Sequence, residues 1–219
     1  MSPDPIACPV CLAPRARPLL EVDGRDYWAC PACETRFLNP AHHPTRDAEH
    51  AQYMLHDNDE ADIGYRRFLS RLAKPLLERL APGASGLDYG CGPGPALAAI
   101  LREAGHDVAL YDPLFRPEVS VLAQSYDFVT CTEVAEHFHT PAAEFKRLRA
   151  LVRPGGWLAI MTCFQTDDSR FANWHYRHDI THVVFYRDTT FRHLAENWGW
   201  RCEVPVKDVV LMQRPGHAP

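Results

Sequence analysis

One glycine-rich segment, residues 87–94 (Leu-Asp-Tyr-Gly-Cys-Gly-Pro-Gly), constrains the fold more than any other part of the sequence. It follows a short apolar stretch typical of a buried strand and leads into a helical pattern over 95–104, which Gly105 ends. Glycines at a strand-to-helix turn let the backbone turn tightly and approach a bound ligand closely. The segment therefore predicts a strand-to-helix unit with a ligand site at its turn.

The residues after this turn supply a matching acid. A second strand is predicted over 107–111, and it ends at Asp112, which lies 18 residues after Gly94. A carboxylate at that position can accept the hydroxyls of a ribose. Pro95 stands where the dinucleotide-binding pattern has its third glycine, so the segment departs from the nicotinamide-cofactor pattern.

Short apolar runs alternate with helical patterns from residue 85 to residue 213, which is the rhythm of a mostly parallel sheet. Further strands are predicted over 126–131, 157–162, 200–204 and 208–212, and helices over 141–152 and 188–198. Another helix is predicted to begin near Glu133. The pattern indicates one open α/β sheet with helices on both faces.

This region resembles the class I S-adenosylmethionine-dependent methyltransferases. The matching stretches are residues 88–94, 109–113, 126–137 and 151–158, and the resemblance covers residues 85–213. It implies a Rossmann-like, seven-stranded methyltransferase sheet with helices on both faces and a last antiparallel strand. Because only 13 residues separate Asp112 from Tyr126, we expect the third strand and its helix to be cut short.

The resemblance also implies the cofactor site. In that family the glycine loop holds the methionine part of S-adenosylmethionine, the acid after the second strand holds the ribose, and residues after the fourth strand flank the cofactor. The positions implied here are Asp88, Gly90, Cys91, Gly92, Gly94, Asp112, Thr132 and Glu133. The sulfonium makes the methyl group electrophilic, so the protein must align a nucleophile, exclude water and, for a hydroxyl, remove a proton.

Two Cys-x-x-Cys pairs lie near the beginning of the sequence, Cys8 with Cys11 and Cys30 with Cys33. Four thiolates on two tight turns suit the tetrahedral coordination of Zn²⁺. A redox role for one pair is the alternative, which needs that pair at a helix N-terminus after a strand. We expect a structural zinc ribbon over residues 1–44, a helical connector over 45–84 and the methyltransferase domain over 85–219.

An acidic and histidine-rich group follows the strand predicted at 126–131. Glu133, Glu136 and His137 have the spacing that places side chains on one face of a helix. The aromatic, histidine-rich segment 171–186, which contains His178 and His182, is expected to wall the substrate pocket.

Three roles remain open for this group. In the first, Glu133, Glu136, His137 and His182 bind a divalent metal such as Mg²⁺, Mn²⁺ or Zn²⁺, because Glu-x-x-Glu-His with a later histidine looks like metal-dependent small-RNA 2′-O-methyltransferases and ubiquinone-pathway O-methyltransferases. In the second, His137 or His182 acts as a general base without metal, and His178 is a further candidate catalytic residue. In the third, these side chains only hold a loop and a helix terminus together.

The charge of the chain bears on the substrate. The formal net charge is −5, and residues 85–219 carry 13 Lys or Arg against 16 Asp or Glu. Nucleic-acid binding depends on clustered Lys and Arg. We therefore expect O-methylation of a small molecule, with an RNA-modifying methyltransferase that uses the zinc ribbon for recognition as the alternative.

The sequence also bears on location. It has no apolar run long enough to cross a membrane, and residues 1–5 lack the features of a secretory signal, so a cytoplasmic location is expected. The sequence leaves the oligomeric state open.

Overall fold

A mixed six-stranded sheet forms the centre of the protein in the computed structural model, which describes residues 6–54 and 59–216. The strands are β1 (Arg17–Val22), β2 (Arg25–Ala29), β3 (Arg36–Leu38), β4 (Ser85–Tyr89), β5 (Asp107–Tyr111), β6 (Tyr126–Thr132), β7 (Val152–Met161), β8 (Val184–Phe185), β9 (Arg201–Val206) and β10 (Val209–Gln213). The helices are α1 (Arg46–Tyr53), α2 (Ile63–Leu77), α3 (Ala96–Glu103), α4 (Pro141–Leu151) and α5 (Asp188–Trp198).

The strand order of the central sheet is β5-β4-β6-β7-β10-β9. The first four strands in this order are parallel, and β10 runs antiparallel to both β7 and β9. The chain passes from β4 to β5 on one side and then to β6 on the other, so a crevice opens at the carboxyl ends of these strands, where α/β proteins bind ligands.

The predicted count of seven strands is wrong, because the described residues place six in this sheet. The segment 113–125 forms a short 3-10 helix, Val119–Ala123, in place of a strand. A crossover with its helix alone needs at least about ten to twelve residues. The thirteen residues of this segment are therefore too few for a crossover helix and an additional strand.

The two faces of the central sheet bury different side chains because strand residues alternate between faces. Phe128, Ala159 and Leu211 pack in a cluster with residues of α2 and α3. Val129, Ile160 and Met212 pack in a second cluster with residues of α4 and α5. This period-two pattern confirms the predicted α/β architecture with helices on both faces.

The N-terminal strands belong to a second sheet, with the order β1-β2-β3-β8. Arg36 pairs with Phe185 and Phe37 with Val184, so the last strand of this sheet comes from the segment predicted to wall the pocket. Cys8 and Tyr186 lie in the same buried apolar cluster. The sheet therefore joins the cysteine-bearing residues directly to the segment 171–186, of which Asp179 and His182 line the cavity.

The helix predicted to begin near Glu133 is also wrong. Glu133 has a φ of 52°, which is incompatible with an α-helix, and only a 3-10 turn, Ala135–His137, follows. The amide of Glu133 donates to the carbonyl of Met161 at 2.8 Å, so β7 continues to hold the chain beyond the end of β6.

No helix within the described ranges combines the length and apolar character needed to cross a bilayer.

Candidate active site

A cavity of about 830 Å³ opens at the carboxyl ends of β4, β5 and β6. The glycine loop, the end of β5 and the segment after β6 supply most of its wall, while α1 and α2 cover it from the other side with Glu49, Tyr53 and Tyr65. The position is the one that the sheet order predicts for a ligand.

The glycine loop is held by the neighbouring strand. The amides of Gly90 and Cys91 donate to the Tyr111 carbonyl at 2.7 and 3.1 Å. Gly90 has a φ of 79°, and a Cβ at this position would lie 2.4 Å from a methyl group of Val134. Glycine is therefore required here both by the backbone angle and by the close approach of the segment after β6.

We expect Gly90→Ala to lower the free energy of unfolding by about 2–4 kcal/mol, because it adds a clash to the strain of positive φ. Gly105→Ala is the matched control, since Gly105 has a φ of 92° but nothing within 4 Å of an added Cβ. Urea unfolding of both variants separates the clash from the strain. Equal losses in the two variants would contradict the close packing of Gly90 against Val134.

Asp112 joins the glycine loop to the cavity. Its buried carboxylate accepts the amide of Gly92 at Oδ2 (3.1 Å) and the amides of Leu114 and Phe115 at Oδ1 (2.8 and 3.0 Å). Each carboxylate oxygen accepts about two hydrogen bonds, so Oδ2 has capacity for one ligand hydroxyl. Asp112 thus braces the loop as well as facing the cavity.

Asp88 lies beneath the loop rather than in the cavity. Its carboxylate accepts the Thr130 hydroxyl at 2.7 Å, and burial raises the pKa of Asp88 to about 6. Gly94 is likewise not among the lining residues. The structure brings the other predicted cofactor residues to the cavity: Gly90, Cys91, Gly92, Asp112, Thr132 and Glu133.

Three predicted metal ligands converge at the far end of the cavity. A carboxylate oxygen of Glu136 and ring nitrogens of His137 and His182 all lie within 4.8 Å of one another. The Val183 amide donates to the Glu136 carbonyl at 2.9 Å, which ties the turn after β6 to the segment before β8. Glu133 is not part of this three-residue group.

Backbone carbonyls fix the orientation of both imidazole rings. Nδ1 of His137 donates to the Thr181 carbonyl (3.1 Å), and Nδ1 of His182 donates to the Tyr176 carbonyl (2.7 Å). Each neutral ring therefore carries its lone pair on Nε2, and Nε2 of His137 lies 4.0 Å from Glu136. This arrangement is typical of histidines that bind metals.

Tyr176 connects the two glutamates, and the sequence pattern did not single it out. Its hydroxyl donates to Glu136 and lies 3.3 Å from Oε2 of Glu133. Because a phenol has one proton, both contacts can be hydrogen bonds only if one of the two carboxyl groups carries a proton. Burial and the nearby Glu136 carboxylate raise the pKa of Glu133 to about 9, which agrees with that requirement.

The cluster is poorly solvated. Burial raises the pKa of Glu136 and lowers the pKa of His182. Among the described residues, Oε2 of Glu136 and the Thr132 hydroxyl are buried without a hydrogen-bond partner. Unpartnered buried polar atoms are unfavourable, so both atoms fit a site that binds a ligand or a cation.

The structure does not bring His178 to this cluster. Its side chain is exposed on the 3-10 helix His175–His178 and does not line the cavity. The predicted catalytic role of His178 therefore has no geometric support. In contrast, α1 places the Tyr53 ring edge-on to His137, with centroids 5.3 Å apart. No local pattern in the sequence indicates that contact.

The four N-terminal cysteines are brought together as predicted. Their sulfurs lie within 4.8 Å of one another, with Cys8 and Cys33 at 3.7 Å and Cys11 and Cys30 at 3.6 Å. Sulfurs placed tetrahedrally around zinc are about 3.8 Å apart. Within the described residues neither pair stands at a helix N-terminus, which removes the main support for a redox role.

Comparison with known families decides the class of this fold. Residues 63–203, more than half of the sequence, match the family model described as "Methyltransferase domain". The chain belongs to this methyltransferase family.

Curated relatives of this methyltransferase include two ubiquinone biosynthesis O-methyltransferases. The one from Serratia proteamaculans is 33% identical over 36% of this chain and 32% of its own length. The one from Paracidovorax citrulli is 34% identical over 39% of this chain and 47% of its own length. The methyltransferase chain thus spans less than half of the length of these relatives.

Solved structures share its fold at low identity. A 1,6-didemethyltoxoflavin-N1-methyltransferase from Burkholderia thailandensis, with bound 1,6-didemethyltoxoflavin and S-adenosylhomocysteine, has a TM-score of 0.51 at 16% identity and covers 90% of this chain and 99% of its own. Magnesium protoporphyrin IX methyltransferase from Synechocystis PCC 6803, with bound S-adenosylhomocysteine, has a TM-score of 0.50 at 17% identity and covers 77% and 93%. The predicted methyltransferase fold is confirmed.

Proposed function

We propose that this chain transfers the methyl group of S-adenosylmethionine to an oxygen atom of a small molecule. The observation that carries the proposal is the meeting of two sets of residues in one cavity: the glycine loop with Asp112, and the group Glu136, His137 and His182. The first set suits the cofactor and the second suits activation of a hydroxyl.

The cofactor proposal assigns roles to residues on the cavity wall. The loop at Gly90 and Gly92 allows close approach of the methionine part, and Asp112 accepts a ribose hydroxyl at Oδ2. The Thr132 hydroxyl, which has no partner among the described residues, is placed to bond the cofactor. S-adenosylmethionine supplies the electrophilic methyl group, and the wall excludes water from it.

The same cavity contains residues that fit a divalent metal. Glu136, His137 and His182 would hold it, with Mg²⁺, Mn²⁺ and Zn²⁺ all suited to carboxylate and imidazole ligands. Such an ion would hold substrate oxygens and lower the pKa of the attacking hydroxyl. The competing mechanism uses His137 or His182 as a general base without metal.

The charges around the cavity favour a small molecule over RNA. Among the described lining residues, six are acidic and two are arginines, Arg46 and Arg147. Arg147 is paired with Glu144 at 2.8 Å. A phosphate backbone approaching this opening would meet a surplus of carboxylates, whereas a cationic metal or sulfonium is attracted.

We also propose that the four cysteines hold a structural Zn²⁺. Four ligands close the coordination shell, so this ion stabilises the fold and performs no chemistry. The support is the near-tetrahedral spacing of the sulfurs and their burial beside Tyr186.

Glu136→Gln tests the metal proposal. It keeps the shape of the side chain but removes its charge, so we expect Mn²⁺ affinity to fall by about 100-fold and methyl transfer to phenolic and catecholic probes to fall with it. Affinity for S-adenosylhomocysteine should stay unchanged. Isothermal titration measures both ligands.

Glu144→Gln is the matched control, because Glu144 lines the same cavity but is paired with Arg147. It should bind Mn²⁺ like the wild type. Methyl transfer that survives a chelator, with zinc retained by the cysteines, would contradict the metal and favour the general-base mechanism. Failure of the wild type to bind S-adenosylhomocysteine would contradict the methyltransferase proposal itself.

A further inference from the structure

Two consecutive residues of the segment 171–186 contact different parts of the molecule. Tyr176 bonds Glu133 and Glu136 through its hydroxyl and accepts the His182 ring proton at its carbonyl. Arg177 reaches into the N-terminal sheet, where Nη2 donates to Oδ2 of Asp23 at 2.8 Å. The 3-10 helix His175–His178 therefore bridges the active-site cluster and the N-terminal hairpin.

The Arg177 guanidinium is well buried and needs its partners. The side chain is 4% exposed, its Cζ lies 5.7 Å from the centre of the Tyr27 ring, and Nε and Nη2 both donate to the Ala172 carbonyl. Asp23 is the one carboxylate among the described residues that forms an ion pair with it. The Asp23 side chain is 69% exposed, so water screens part of the pair, but the guanidinium itself is buried and removal of the Asp23 charge should shift it.

The hairpin that carries Asp23 is suited to hold this contact in place. Asp23 and Gly24 form the two-residue turn between β1 and β2, with φ values of 54° and 70°. Positive φ at both positions is the signature of the tightest hairpin turns, which leave little freedom in the backbone. Tyr27, on β2, packs edge-on against Phe171, with ring centroids 5.1 Å apart. This contact holds the beginning of the segment 171–186 against the same hairpin.

We infer that Arg177 is a positioning residue, and that its ion pair with Asp23 sets the location of Tyr176 and thereby the spacing of Glu136 and His182. The N-terminal module then serves the active site through a specific contact, in addition to any stability that its cysteines provide. The inference rests on the proposed metal site for its Mn²⁺ measurement, and a second measurement is independent of metal.

The experiment uses the full chain with zinc retained by the cysteines. Asp23→Asn removes the charge, and asparagine tolerates positive φ, so the turn is kept. Asp26→Asn is the matched control, because Asp26 lies on the same hairpin and pairs instead with His42 at 3.3 Å. We expect Asp23→Asn to weaken Mn²⁺ binding by about tenfold, and we expect Asp26→Asn to bind Mn²⁺ like the wild type. Both variants should bind S-adenosylhomocysteine with wild-type affinity. If the wild type binds Mn²⁺, equal Mn²⁺ affinity in the two variants overturns the inference.

A double-mutant cycle identifies the route. If the ion pair acts through the Tyr176 hydroxyl, Asp23→Asn added to Tyr176→Phe should change Mn²⁺ affinity by less than about twofold, although each single change weakens it. Additive losses would show that Asp23 acts on the cluster by another path and would overturn the role assigned to the Tyr176 hydroxyl.

The metal-independent measurement follows the Nδ1 proton of His182, which bonds the Tyr176 carbonyl at 2.7 Å. In ¹⁵N-histidine-labelled protein, we expect this proton to exchange with water about tenfold faster in Asp23→Asn than in Asp26→Asn. A wild type that binds no Mn²⁺ contradicts the metal proposal alone. An unchanged His182 exchange rate in Asp23→Asn overturns the positioning inference, whether or not metal binds.

Discussion

Cys30→Ser should lower the free energy of unfolding by about 4 kcal/mol, a large part of the total stability of an ordinary domain. The Cys30 side chain is buried, and its sulfur lies 3.6 Å from that of Cys11, so a serine there removes one of the four proposed zinc ligands and buries a hydroxyl. Zinc content and urea unfolding measure the effect. Because β3 pairs with β8, we expect the segment that contains β8 to lose its structure together with the N-terminal sheet.

Cys202→Ser is the control for this prediction. Cys202 lies in β9, is partly buried, and is outside the cysteine cluster. Its replacement should leave one equivalent of zinc bound and cost at most about 1 kcal/mol of stability. A Cys30→Ser protein that unfolds at the wild-type urea concentration would contradict a structural zinc.

Asp112→Ala should weaken S-adenosylhomocysteine binding by about 100-fold. The change removes the charged hydrogen bond that we propose Asp112 makes to the ribose, and it also releases the Gly92 amide that Asp112 holds at 3.1 Å. Hydrogen bonds to charged groups contribute about 1.5–3 kcal/mol each, and about 2.7 kcal/mol corresponds to a hundredfold change in affinity. Isothermal titration gives the dissociation constants.

Asp107→Ala provides the comparison, because Asp107 begins the same strand that Asp112 follows and its side chain is exposed at the opposite end. It should bind S-adenosylhomocysteine as the wild type does. If Asp112→Ala retains wild-type affinity while remaining folded, the cofactor does not contact this carboxylate.

The sequence predicts the central sheet well because local signals define its parts. Apolar runs of strand length locate β4 to β7, and glycines mark the turn at Gly90 and Gly92. The spacing of Glu133, Glu136 and His137 predicts a helix, and this prediction is wrong. The Glu133 amide donates to the carbonyl of Met161 in β7, which holds the chain in a non-helical conformation. A contact between residues so far apart leaves no trace in a helical periodicity.

The candidate site likewise contains residues that the sequence predicts and residues that it does not. Glu136, His137 and His182 were predicted from a chemical pattern, and the structure brings them together. Tyr176 was not singled out because it stands among several aromatic residues of the 171–186 segment, and only its hydrogen bonds distinguish it. Long-range packing also decides the exposure of His178, which no property of its neighbours in sequence indicates.

The pairing of β3 with β8 has a consequence for biosynthesis. The Thr35 hydroxyl donates to the Phe185 carbonyl, 150 residues later in the chain, so the edge of β3 stays open until β8 has been synthesised. Unpaired strand edges invite association with other chains, and non-local pairing slows folding. Newly made protein should therefore pass through a stage in which its first hairpin is formed but β8 is absent, and chaperones have the most to protect at that stage.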